Sequence, residues 1–66
     1  MPTESVGILI SRARHRKRLT QEQMAEALGV SKSSVANWES GEHFPLRYAG
    51  AIEELLEITI PAPAQS

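Results

Sequence analysis

The 66-residue sequence contains no cysteine, only three aromatic residues and no long apolar run. Without cysteine, neither a disulfide framework nor a thiolate metal site can form, and a reducing cytosol suits such a chain. Its apolar runs are far shorter than the ~20 residues of a membrane helix. Its first residues also lack the basic and apolar segments of a secretory signal. We therefore expect one small domain that neither crosses a membrane nor is secreted.

Features of enzymes are missing as well. The two histidines, His15 and His43, lie far apart in polar surroundings and have no metal-ligand spacing around them. Glu53 and Glu54 are adjacent, and adjacent residues on a helix point in different directions. The sequence contains no glycine-rich phosphate loop and no nucleophile elbow. It therefore predicts no enzyme, no metal site, no cofactor and no small-molecule ligand.

The charges are distributed unevenly although the net charge is only −1. Residues 1–38 carry six arginines and lysines against three glutamates, a balance of +3. Residues 39–66 carry one arginine against five glutamates, a balance of −4. The basic run RHRKR at 14–18 either complements the negative end of a helix dipole or contacts phosphate. Either one small body has a basic and an acidic face, or solvated charges merely segregate along the chain.

The stretch from Thr20 to Trp38 has the pattern of two short helices joined by a tight turn. Thr20 and Gln23 form a capping box, which satisfies amide donors at a helix start. Gly29 stands where a helix end needs a left-handed residue, and Ser31 is a suitable N-cap for the next helix. Apolar or small residues recur at spacings that each have a steric reason: Met24, Ala25, Leu28, Val30, Val35 and Trp38. This combination predicts a helix-turn-helix whose second helix, 32–38, displays small polar side chains outward.

A first helix is predicted before this motif, behind an N-cap at Thr3. Gly7 inside it is costly for a helix, and a close approach of another helix would explain it. Its inward stripe is Val6, Leu9, Ile10 and Ala13.

A last helix is predicted over residues 46–56, with Pro45 at its start. Ile58 and Ile60 alternate with polar residues, which predicts an extended segment laid on the core. Residues 61–66, PAPAQS, cannot bury anything, and a mobile tail is expected there.

With these elements the chain resembles the Cro/cI-type helix-turn-helix domains of phage repressors and related bacterial regulators, known as the XRE family. The resemblance covers about residues 5–60 and implies an all-α fold, a compact bundle of four to five short helices, for a DNA-binding domain at 1–60. The residues that carry it are Gly7-x-x-Ile10-x-x-x-Arg14, Leu19-Thr20-Gln21-x-x-Met24-Ala25-x-x-Leu28-Gly29-Val30-Ser31, Val35-x-x-Trp38-Glu39-x-Gly41-x-x-x-Pro45 and Ile52-x-x-x-Leu56-x-Ile58.

The resemblance also implies DNA contacts at the matching positions. Gln21 matches a phosphate-contacting glutamine at the start of the second helix. Positions that read base edges in the major groove are matched by Lys32, Ser33 and Asn37. Further candidates for contacts to phosphate or bases are Ser31, Ser34, Ser40 and Arg18.

Arg14 and Glu39 match positions that form a partly buried ion pair between the first helix and the end of the recognition helix. Arg14 is therefore expected to be mainly structural. The chain departs from the family pattern at Arg18 and Glu57, where glycine is common. It also lacks basic residues in loop 42–44, which predicts fewer phosphate contacts and a shallower salt dependence than a strongly basic repressor would show.

The prediction is a cytoplasmic, bacterial or phage-encoded transcriptional regulator of the Cro/cI-like repressor type. Its partner would be double-stranded operator DNA, bound by a homodimer on a near-palindromic site. Ile58 and Ile60 either join the two copies or simply seal the core of each. The alternatives are an antitoxin or protein-binding adaptor with the same fold, and the DNA-binding portion of a longer regulator.

Overall fold

The computed structural model describes residues 5–61, which form four α-helices. These are α1 (Val6–Arg16), α2 (Gln21–Leu28), α3 (Lys32–Ser40) and α4 (Ala49–Leu56). No β-strand occurs in the described range, and the predicted all-α bundle is confirmed. None of these four helices is long and apolar enough to cross a membrane. Of the predicted tail, only Pro61 lies within the described residues.

Hydroxyl side chains cap the starts of α1 and α2. Thr20 Oγ1 accepts the Gln23 backbone N–H at 3.0 Å, and Gln23 Oε1 accepts the Thr20 backbone N–H at 2.9 Å. The predicted capping box is therefore confirmed. In α1, Ser5 Oγ accepts the Ile8 N–H at 3.2 Å, so the helix begins directly after Ser5. Thr3, the predicted cap, lies outside the described residues.

Two helix boundaries differ from the sequence prediction. α3 runs two residues beyond the predicted 32–38, because the left-handed residue that ends it is Gly41, with a φ of 87°. The predicted start of the last helix at 46 is wrong, since residues 46–48 form a turn before α4. Pro45 is buried just before this turn, and the ring centroids of Tyr48, at its end, and Trp38 lie 5.6 Å apart. Packing therefore overrides the helical spacing there.

The core receives side chains from all four helices and from the segment that follows α4. Ile60 is buried, and its N–H donates to Glu53 Oε2 at 2.7 Å. Ile58 is half-buried against the same core. Within one copy of the domain, Ile60 therefore seals the core and Ile58 covers it in part. The buried apolar residues are Ile10, Ala13, Met24, Ala25, Val35, Trp38, Ile52, Leu56 and Ile60.

α1 packs against the C-terminal end of α3 at Gly7, where there is no room for a side chain. A Cβ atom at this position would lie 2.4 Å from the Glu39 carbonyl oxygen and 2.7 Å from the Trp38 carbonyl oxygen. The predicted close approach of another helix is confirmed. It brings the backbone of α1 against that of the helix expected to bind DNA.

Arg18 and Glu57, the two departures from the family's glycines, both have left-handed backbones, with φ of 60° and 58°. This conformation costs an L-residue roughly 1–2 kcal/mol, which explains why glycine is common at both positions. Beside them, Lys17 Nζ lies 2.8 Å from Glu57 Oε2. The hydrogen bond from Lys17, and then its charge, lower the pKa of the exposed Glu57 carboxyl below its ordinary value of 4.5.

Candidate nucleic-acid interface

The turn between α2 and α3 fixes the relative orientation of the two helices. Gly29 has a φ of 73°, and its N–H bonds to the Glu26 carbonyl at 3.2 Å. The N–H of Val30 reaches back to the Ala25 carbonyl at 2.9 Å. This pair of bonds is a Schellman motif, which ends α2 sharply and satisfies its last carbonyl groups. Half-buried Val30 anchors the turn on the core, as the motif predicted.

α3 has one buried face and one polar face. Val35 and Trp38 face the core. On the opposite face, the helical spacing brings together Lys32, Ser33, Ala36, Asn37 and Ser40. Within residues 5–61, the side chains of Lys32, Ser33 and Asn37 have no hydrogen-bond or ion-pair partner. Lys32 and Ser33 are exposed and Asn37 is half-buried, so these three side chains present donors and acceptors that the fold does not use.

The three remaining serine candidates take part in local hydrogen bonds. Ser31 Oγ caps α3 by accepting the Ser34 N–H at 3.2 Å, and the two hydroxyls lie 3.1 Å apart. Ser40 Oγ donates to the Asn37 carbonyl at 3.1 Å. A hydroxyl has two acceptor sites, so each retains capacity for another partner. Ser31 and Ser34 lie at the start of α3, and Ser40 lies at its end. The helix between Lys32 and Ser40 is about 12 Å long.

A basic cleft of about 600 Å³ lies beside the start of α3. Lys32 of α3 lines it together with His15 near the end of α1, Arg18 just after that helix, and Gln21 and the acidic Glu22 at the start of α2. The structure thus brings Gln21, Arg18 and Lys32 together, although they are separate in the sequence. His15 belongs to the basic run 14–18, for which phosphate contact was one of the two predicted roles, but it was not itself among the predicted DNA contacts.

A second, smaller cleft of about 290 Å³ lies next to another part of α3. Ser34 and Trp38 line it from α3, and Arg47 lines it from the turn before α4. Arg47 was not among the predicted DNA contacts, because it lies outside loop 42–44, where the family pattern has phosphate-binding cations. The one signal was that Arg47 is the sole cation of the chain's C-terminal half. Cations therefore line a cleft on each of two sides of α3.

The predicted ion pair between Arg14 and Glu39 is present and buried. Arg14 Nε lies 2.6 Å from Glu39 Oε2, and Arg14 Nη2 lies 3.1 Å from Oε1, so the guanidinium binds the carboxylate in a bidentate manner. Arg14 Nη1 donates to the Leu19 carbonyl at 2.7 Å. A partner that was not predicted is Gln21, whose Nε2 donates to Glu39 Oε1 at 3.1 Å. The ion pair therefore reaches the start of α2 as well as joining α1 to α3.

Comparison with known proteins adds a family and a relative. The sequence model of the helix-turn-helix family matches residues 10–62, a range that contains α2, the turn and α3. Over 45 residues, or 67% of its length, the chain is 42% identical to the HTH-type transcriptional activator BcrR of Enterococcus faecalis. The chain spans only 22% of the length of that protein.

Proposed function

The chain belongs to the XRE-type helix-turn-helix family of DNA-binding regulatory domains, and on this basis we propose that it recognises operator DNA with α3. One observation carries the proposal. Lys32, Ser33 and Asn37 share the polar face of α3 and make no hydrogen bond or ion pair within the described residues. A side chain with no partner in the fold is available for base edges at no cost to the fold.

The chemistry of these side chains suits the major groove, which is about 12 Å wide and admits a helix. The Lys32 ammonium donates to guanine O6 and N7, and the Asn37 amide pairs with adenine N6 and N7. Ser33 serves as donor or acceptor. Each good pairing of this kind discriminates against the wrong base by about 1–3 kcal/mol.

Phosphate contacts on the two sides of α3 hold the helix in the groove. In the basic cleft we assign them to Gln21 and Arg18, and at the second cleft to Arg47 and Ser34. Ser31 and Ser40 are assigned the same role at the ends of the helix, through the hydroxyl capacity that their local bonds leave. Such contacts set the position of the protein on DNA and its salt dependence, and base contacts set the sequence.

The proposal includes a homodimer on a near-palindromic operator, with one α3 in each half-site about one helical turn apart. A domain that regulates a bacterial or phage promoter works where the DNA is, so the proposal also includes a cytoplasmic location. The resemblance to phage repressors favours repression, whereas the Enterococcus relative is named an activator. A reporter gene under the operator, with and without the protein, distinguishes the two directions of regulation.

Selection of binding sites from a pool of randomised duplexes tests the proposal. A near-palindromic consensus should emerge, and a titration should show two protomers per selected duplex. Lys32→Ala and Asn37→Ala should each weaken binding to that duplex by about 1–3 kcal/mol with little change in binding to random DNA. Arg16→Ala is the matched control, since this exposed cation lines neither cleft and should weaken both kinds of complex equally if at all. Equal affinity of the wild-type protein for selected and random duplexes would refute sequence-specific reading.

A second candidate is that the chain acts as the DNA-binding portion of a longer regulator, which the 22% coverage of the relative favours. The antitoxin or adaptor alternative predicts a different response to mutation. An adaptor that uses another surface would keep its function in Lys32→Ala and Asn37→Ala, and a DNA-binding regulator would lose it.

A further inference from the structure

Glu39 receives hydrogen bonds from two different helices through its carboxylate. Oε2 accepts from Arg14 Nε at 2.6 Å, and Oε1 accepts from both Arg14 Nη2 and Gln21 Nε2 at 3.1 Å. The side chains of Arg14 and Glu39 are only 9% and 8% exposed. Hydrogen bonds to a buried carboxylate are stronger than those between neutral groups, so this acceptor fixes its donors firmly.

The start of α2 is consequently held at two points by one ion pair. Arg14 Nη1 holds the Leu19 carbonyl at 2.7 Å, and Glu39 holds the side-chain amide of Gln21. The ion pair between Arg14 and Glu39 could form without the hydrogen bond from Gln21 to Glu39. The effect of this hydrogen bond is local, because the bond selects one orientation of the half-buried Gln21 side chain at the wall of the basic cleft.

The Gln21 amide retains capacity for DNA in this orientation. Its nitrogen carries two N–H groups, of which one points to Glu39. The other N–H has no partner within residues 5–61 and is suited to a phosphate oxygen. An unordered glutamine would have to lose its rotamer freedom when it binds, which typically lowers affinity by about two- to tenfold.

We infer that Glu39 is a positioning residue for DNA binding, whose carboxylate presets the Gln21 side chain for a phosphate contact. The inference rests on the proposed function, in which Gln21 lies against the DNA backbone. It assigns Glu39, a residue that does not itself face DNA, a role in affinity beyond its ion pair with Arg14.

A double-mutant cycle separates this role from a purely structural one. In the wild-type protein one carboxylate oxygen of Glu39 accepts from Arg14 Nε, and the other accepts from Arg14 Nη2 and Gln21 Nε2. Glu39→Gln leaves a single acceptor oxygen, which cannot accept from all three donors. Gln21→Met keeps the length of the side chain and removes its hydrogen bonds. The probe is a random-sequence duplex of ~20 base pairs at low salt, because phosphate contacts do not depend on sequence. Affinities are measured below the melting temperature of each variant, with the folded fraction checked by circular dichroism.

Glu39→Gln should weaken binding about fivefold when residue 21 is glutamine and less than twofold in the Gln21→Met background. An equal loss in both backgrounds, or no loss in either, would overturn the positioning role. Failure of the wild-type protein to bind any duplex would instead refute the proposed function.

A measurement on the wild-type protein covers the case in which Glu39→Gln does not fold. The side-chain amide signals of Gln21 are identified in a ¹⁵N spectrum by their loss in Gln21→Met. In the absence of DNA, one proton of the pair should be shifted downfield and protected from exchange, and the other should move when the duplex is added. A pair of signals at the positions of a solvated glutamine would contradict the inference.

Discussion

Replacing Gly7 with alanine tests the packing of α1 against α3. The new Cβ atom would lie 2.4, 2.7 and 2.8 Å from three backbone atoms of Trp38 and Glu39. Contacts shorter than 3.0 Å are essentially never seen for a Cβ atom, so the helices must separate by at least 0.6 Å, the difference between 3.0 and 2.4 Å. Because the opposing atoms belong to the backbone of a helix, no side-chain rotation can relieve the clash.

The expected loss in the free energy of unfolding of Gly7→Ala is the difference between two opposing effects. Overpacking typically costs 1–3 kcal/mol, and three close contacts with backbone atoms justify the upper end, about 3 kcal/mol. Alanine is the better helix former and returns about 1 kcal/mol. The net loss of about 2 kcal/mol is a large part of the ~3–10 kcal/mol expected for a 66-residue domain. It corresponds to a fall in melting temperature of about 8–16 °C.

Gly50→Ala provides a matched control for this prediction. Gly50 is also a helical glycine, but a Cβ atom there would meet nothing within 4 Å. Gly50→Ala should therefore raise the melting temperature by a few degrees, through about 0.5–1 kcal/mol of helix preference. Both variants are compared with the wild-type protein by thermal and urea unfolding. If both raised the melting temperature, the close approach of α1 to α3 would not exist in solution.

Three further predictions concern charged side chains. Arg14→Ala should lower the free energy of unfolding by about 3–5 kcal/mol in urea titrations, because it leaves Glu39 buried without its cation. An unchanged melting temperature together with weakened DNA binding would contradict this prediction. Arg18→Gly should stabilise the domain by about 1 kcal/mol in thermal unfolding, since glycine adopts the left-handed backbone freely. The same change should make DNA binding less dependent on salt, because it removes a phosphate contact. Destabilisation would show that the Arg18 side chain has structural contacts. Lys17 lowers the pKa of Glu57 in the folded state. The ion pair between them therefore stabilises the fold above the ordinary Glu57 pKa of 4.5, and this stabilisation is lost as the pH falls below that value. In Lys17→Met this part of the acid dependence should vanish, and an unchanged pH profile of unfolding would refute the assignment.

The helix-turn-helix could be predicted from the sequence because its determinants are local. The capping box of Thr20 and Gln23 and the left-handed Gly29 each act within a few residues, and the structure has each where it was predicted. The contact of Arg14 with Glu39, 25 residues apart, was predicted only because both positions match a family pattern. Periodicity alone does not predict such a pair.

The start of α4 and the clefts beside α3 could not be predicted in this way. Residues 46–48 have helical spacing, yet the burial of Pro45 and the contact of Tyr48 with Trp38 favour a turn. Arg47 lines a cleft with Ser34 only because that turn brings the two segments together. The hydrogen bond from Gln21 to Glu39 likewise depends on how the start of α2 meets the end of α3. These features arise from tertiary packing, which a single sequence does not encode in its spacing.

The chemistry of α3 supports the proposal that two copies bind DNA together. On its polar face, only Lys32 and Asn37 can make a strong base-specific pairing, and together they supply about 2–6 kcal/mol of discrimination. Specific DNA-binding proteins usually discriminate by about 4–10 kcal/mol against random sites. One domain therefore reaches only the lower part of this range, and two half-sites would bring the sum to about 4–12 kcal/mol. The phosphate contacts assigned to Arg18 and Arg47 would raise affinity for any sequence and would not add to this discrimination. We therefore propose that specific recognition by this domain uses a second copy, or a sequence-dependent DNA shape that its helix pair favours.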